Sequence, residues 1–161
     1  MNARWFAALA MMTAGLLAFA AGTSKAAGPL APFSGNWLGN GTITPMNGAP
    51  ERIRCRSTNR AEDHSLTLSL RCASDSYKFE FTSDVSSEAG NISGSWNEVT
   101  RGIFGQLAGR ITGGRIVATA AAVGVSASVS ITVHGNSLSV SIRSPGSEIS
   151  EVSVSMSRSG R

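Results

Sequence analysis

Apolar and polar residues alternate along most of the chain. Leu66-Thr67-Leu68-Ser69-Leu70-Arg71-Cys72, Tyr77-Lys78-Phe79-Glu80-Phe81, Val129-Ser130-Ile131-Thr132-Val133, Leu138-Ser139-Val140-Ser141-Ile142 and Val152-Ser153-Val154-Ser155-Met156 all follow it. A period of two sends one set of side chains to a buried face and the other to water. The pattern predicts about ten strands, near 34–44, 50–58, 65–74, 77–85, 91–99, 103–112, 115–123, 126–134, 137–144 and 148–158. Turn residues separate nearly all of them. No amphipathic helix is expected after residue 27.

Facing residues in a hairpin share a face, so each proposed turn can be checked for consistency. A Gly135-Asn136 turn pairs Val133 with Leu138 and Ile131 with Val140, and Gly113-Gly114 pairs Ile111 with Ile116. Asp75-Ser76 pairs Cys72 with Phe79 and Leu70 with Phe81. Gly124-Val125 would pair Ala120 with Val129, and Arg101-Gly102 would pair Trp96 with Leu107. Each choice sets apolar opposite apolar. The expected fold is all-β: an antiparallel meander of about ten strands closed as a small up-and-down barrel, because a wide sheet cannot leave its apolar face bare. A two-sheet β-sandwich is the alternative. An outer-membrane barrel would turn the apolar face to lipid. The short strands, the lack of Tyr and Trp girdles and the ending Ser157-Arg158-Ser159-Gly160-Arg161 count against it.

Residues 1–26 read as a signal peptide, with 27–161 as a single β-barrel domain. Arg4 supplies a positive start, Trp5 to Ala21 is almost wholly apolar, and Ser24-Lys25-Ala26 offers a small-residue cleavage site. The apolar run is at the lower limit of the ~17–25 residues that span a bilayer. A periplasmic or secreted location follows. No transmembrane span is expected in the mature chain.

The whole chain of 161 residues carries a formal charge of +4 and is 42% hydrophobic and 15% charged, which excludes long disorder. Without residues 1–26, 12 basic and 10 acidic residues remain, and Lys78 is the only Lys. The basic excess becomes small, and a nucleic-acid partner is not expected.

Cys55 and Cys72 face one another if a hairpin turns between Asp63 and His64. In an exported chain that pair is expected as a structural disulfide rather than a metal or redox pair.

Ser34-Gly35-Asn36-Trp37 recurs as Ser93-Gly94-Ser95-Trp96. The stretch Phe33 to Gly41 resembles the Gly-x-Trp first strand of lipocalins and avidins, the calycin group. The resemblance implies a barrel whose base is plugged by Trp37. It also implies a late Arg packed on that Trp, for which Arg158 is the candidate. The segments Glu51-Arg52-Ile53-Arg54-Cys55-Arg56 and Leu70-Arg71-Cys72-Ala73-Ser74-Asp75 also resemble small exported bacterial proteins of uncharacterised activity.

Gly105, Gly109, Ala118, Ala120, Ala122 and Ala127 share the inward face. Either the opposite wall fills the space with Trp37, Trp96, Phe79 and Phe81, as expected for a chain of this size, or a cavity remains. A cavity would suit a small apolar or amphipathic ligand. Glu98, on the face of Trp96, is expected at the rim, where a carboxylate could orient such a ligand. No catalytic or metal-binding motif is present, and His64 and His134 fall in turns. A non-enzymatic binding role with no cofactor is expected, with the oligomeric state open. Arg52, Arg54 and Arg56 share one strand face, with Arg56 opposite Arg71, Arg71 opposite Glu80 and Arg52 opposite Asp75. The alternative function is therefore an envelope interaction protein. Its Arg face would bind anionic material or a partner protein, since Arg grips such groups bidentately.

Overall fold

The computed structural model describes residues 27–160. The expected signal peptide lies outside the described residues. A short 3₁₀ turn, Ala31–Phe33, precedes ten strands: β1 Gly35–Pro45, β2 Glu51–Glu62, β3 Ser65–Ala73, β4 Lys78–Glu88, β5 Asn91–Glu98, β6 Ile103–Thr112, β7 Arg115–Ala122, β8 Val125–His134, β9 Ser137–Arg143 and β10 Ile149–Arg158. Each strand pairs antiparallel with the next, and β1 pairs with β10, so the sheet is a closed barrel and not a sandwich. Closure satisfies both sheet edges at once.

Alternation sorts the two faces as the sequence predicts. On β2, Ile53, Cys55, Ser57 and Asn59 are buried while Arg52, Arg54, Arg56 and Thr58 face out. On β10, Val152, Val154 and Met156 are buried between exposed serines. The apolar face is thus inside and the Ser- and Arg-bearing face outside, the reverse of a lipid-facing barrel.

Four expected registers occur unchanged: Val133 opposite Leu138, Ile111 opposite Ile116, Cys72 opposite Phe79, and Cys55 opposite Cys72. Two differ. Trp96 pairs with Gly105 instead of Leu107, because β5 and β6 are joined by a longer connection, Val99 to Gly102. Ala120 pairs with Ala127 instead of Val129, because the β7–β8 turn is Val123-Gly124. Gly124 takes a φ of +73° there, a conformation that glycine adopts without steric cost. Both changes slip the pairing by an even number of residues, so every side chain keeps its face. Arg52 does not meet Asp75: β3 ends at Ala73, and Arg52 pairs with Thr42 of β1.

Candidate functional site

The two ends of the barrel are built differently. At the base, the turn Ala31–Phe33 carries Leu30 and Phe33 into the barrel beside Trp37, and all three are essentially inaccessible to solvent. The Phe33 carbonyl accepts hydrogen bonds from Trp37 Nε1 at 3.1 Å and Asn59 Nδ2 at 3.0 Å. Ser57 Oγ lies 2.6 Å from Asn59 Oδ1 and 3.0 Å from the Ser69 carbonyl; its single proton can serve one of them at a time. These contacts satisfy buried polar atoms that would otherwise oppose burial. The guanidinium of Arg158 lies 4.2 Å from the Trp37 ring centre, and its nitrogens donate to the carbonyls of Ser34 and Pro32. Gly35 makes room for it. Its φ is +130°, and a Cβ there would collide with the Arg158 guanidinium. This is the Trp–Arg arrangement implied by the calycin resemblance.

Above the base the interior is not filled. A cavity of about 340 Å³ runs up the barrel. Its aromatic wall comes from β4 and β5: Phe79 and Phe81 meet edge to face with ring centres 5.5 Å apart, and Phe81 and Trp96 are 6.3 Å apart. The facing wall includes Ala120 and Ala127, whose methyl side chains cannot reach across. The expectation of a packed interior is therefore corrected: the small residues of β7 and β8 outweigh the aromatic residues of β4 and β5. Trp37 lies outside this wall. It is held in the base by its hydrogen bond and by Arg158, and it does not line the cavity. Phe79, Phe81, Trp96 and Glu98 do line it.

The cavity opens at the end opposite the plug, where Arg101, Gly124, Ser147 and Glu148 border it. Glu98 is not an exposed rim residue; it is buried. Its carboxylate accepts the amides of Glu80 at 3.1 Å, Thr100 at 3.2 Å and Arg101 at 2.7 Å. Four-bond carboxylate capacity is thus largely used by the chain itself, and Glu98 organises the β5–β6 connection. Arg101 then spans from that connection to the one joining β9 and β10. Its Nη1 is 3.6 Å from Glu98 and its Nε is 3.6 Å from Glu148. Sequence periodicity had no means of finding this strut, because its two ends lie on connections that are not neighbours in the sheet.

Nearby, an amide of the β3–β4 turn, Ser76 N, donates to Glu51 Oε1 at 3.0 Å. The Ser74 hydroxyl first, and then the Ser76 amide, hold the Glu51 carboxyl below its ordinary pKa. Cys55 and Cys72 form a disulfide inside the barrel, directly opposite one another on β2 and β3.

The Arg face lies outside the barrel. Arg71 is paired with Glu80 at 2.8 Å. Arg54 and Arg56 carry no ion pair among the described residues, and with Arg71 and Lys78 they border a shallow outer groove over β1 to β4. Arg52 stands exposed at the mouth end of the same strand. His64 and His134 are exposed turn-proximal residues.

No family model and no curated protein sequence matches this chain. Solved structures resemble it, among them the following two. Rv2717c from M. tuberculosis superposes with a TM-score of 0.66 at 16% identity, covering 81% of this chain and 95% of that one. The S-type phycobiliprotein lyase CPES from Guillardia theta superposes with a TM-score of 0.54 at 11% identity, covering 82% and 91%. At these identities the likeness concerns the fold, and the chain shares a β-barrel architecture with both.

Proposed function

We propose that this protein is an exported, non-enzymatic carrier that binds one small apolar or amphipathic molecule inside its barrel. The observation that carries the reading is the cavity: about 340 Å³, walled mainly by apolar side chains and open at one end. That volume lies in the lower part of the ~300–1,000 Å³ range of ligand pockets, so the occupant is small. Burial of its apolar surface drives binding at about 25 cal/mol per Å² before the cost of association. A binding role fits the mouth chemistry, since the buried carboxylate of Glu98 is engaged by backbone amides rather than aimed at a reacting group. Export is supported by the apolar N-terminal run and by the disulfide, which persists in oxidising compartments. The lyase among the similar structures contributes the fold to this reading and nothing about its chemistry.

Titration with an environment-sensitive apolar fluorophore tests the reading. The wild-type protein should enhance its emission saturably at one site. Ala120→Leu with Ala127→Leu should abolish that enhancement while changing stability little, because new methylenes enter open space. Equal binding by both proteins would place the ligand elsewhere.

The unpaired Arg54 and Arg56 favour a second reading, in which the outer groove receives an anionic group of the envelope or an acidic partner. Arg54→Ser with Arg56→Ser should then weaken binding to anionic envelope material. Unchanged binding would reject it.

A further inference from the structure

The hydrogen-bonding groups along the cavity share one property: their protons are committed to the chain itself. Ser83 Oγ, opposite Trp96 on the β4–β5 pair, donates to the Ser95 carbonyl at 2.8 Å. Trp96 Nε1 donates to the Gln106 carbonyl at 3.1 Å. The Ser57 proton goes to Asn59 Oδ1 or to the Ser69 carbonyl. At the mouth, Ser144 Oγ donates to the Ser126 carbonyl at 3.0 Å and lies 2.6 Å from Ser147 Oγ. Since the one Ser144 proton is taken by that carbonyl, Ser147 must be the donor between the two serines. Thr82 has the outward parity of β4. A serine oxygen that has given up its proton still carries lone pairs. The hydroxyls of the wall can therefore accept a hydrogen bond from a guest, but have none to donate.

The charged residues that line the cavity are closed on the chain in the same way. Arg101 lies between Glu98 and Glu148, and Glu151 meets Arg143. A guest anion would have to take Arg101 from two carboxylates, and a guest cation would have to take a carboxylate from its arginine. Burying either charge without a partner is costly. We infer that the cavity selects a neutral guest that brings its own hydrogen-bond donor, namely an apolar alcohol. The inference rests on the interior-binding reading and narrows it. An alcohol entering the barrel can donate to a serine oxygen and so replaces the bond to water that it gives up. An ether or ketone oxygen needs a donor from the wall, where the hydroxyl and indole protons are already engaged, and its lost hydration goes uncompensated.

Displacement of the apolar fluorophore from the wild-type protein tests this. The competitors are decanol, its isomer methyl nonyl ether, decanoate and decylamine, all at neutral pH. Decanol and the ether contain the same atoms, and only decanol can donate. The weaker hydration of the ether favours its burial, so that bias runs against the inference. Decanol should displace the fluorophore at about tenfold lower concentration than the ether. Decanoate and decylamine should each be weaker than decanol. An ether as effective as decanol, a charged competitor more effective than it, or displacement by none of the four would overturn the inference and leave interior binding standing. Failure of the fluorophore itself to bind would overturn both.

Discussion

The Arg158 guanidinium stacks on the Trp37 indole at 4.2 Å and joins the last strand to the segment that enters the first. It also donates to the carbonyls of Pro32 and Ser34, so one side chain ties the plug, β1 and β10 together. Arg158→Ala should destabilise the barrel by about 1–3 kcal/mol, the combined scale of a cation–π contact and hydrogen bonds from a charged donor. Arg158→Lys should recover only part, since an ammonium cannot present the planar fork. Urea unfolding followed by Trp fluorescence measures both.

Cys55 and Cys72 are separated by 17 residues, and closing a loop of that size contributes ~3 kcal/mol in the chain-entropy description. Cys55→Ala with Cys72→Ala should lower unfolding stability by about 2–4 kcal/mol while leaving the β content intact. Because both sulfurs are buried, reductant should act on the native protein only as fast as it opens. A thiol-release assay against reductant concentration checks this.

The Arg101–Glu148 pair crosses the mouth, and Glu148 is mostly exposed. A pair of that kind is worth ~0–1 kcal/mol, so Glu148→Gln should barely change stability. It should speed entry of an apolar probe several-fold by freeing one side of the opening. Stopped-flow fluorescence gives the rate, and an unchanged rate would show that Arg101 does not limit access.

Hydrogen bonding to Ser74 and then Ser76 lowers the Glu51 pKa. A depressed carboxylate pKa contributes stability that is present above the unfolded-state pKa and lost as pH falls through the folded one. The Glu51 resonance should therefore titrate below an ordinary Glu. Ser74→Ala should move it back toward the usual value, as read by carboxyl-carbon NMR.

Strand positions and facing were legible because a period of two is written directly in segments such as Leu138 to Ile142. Register was legible at the Gly135-Asn136 turn and at the cysteine pair, but not at the equally tight β7–β8 turn, where Gly124 takes the second turn position rather than the first. It was not legible at β5–β6, where the Glu98 carboxylate gathers the Thr100 and Arg101 amides and lengthens the connection. The plug was missed because Leu30 and Phe33 lie among prolines, with no periodicity to follow.

The candidate site was half visible. Parity placed Phe79, Phe81 and Trp96 inside, beside the alanines of β7 and β8. Whether such walls meet depends on the width of the closed barrel, a global quantity that no local pattern encodes. Trp37 and Trp96 share a local motif, yet only the first is covered by a plug and an arginine. Their different fates come from chain closure.

Native mass spectrometry of the protein, purified without denaturant from its own cellular source, addresses the central claim most directly. An account built on the cavity predicts one bound molecule of small mass, released on gentle activation and identifiable as apolar or amphipathic. A polypeptide mass alone, together with failure to take up any apolar probe, would contradict it.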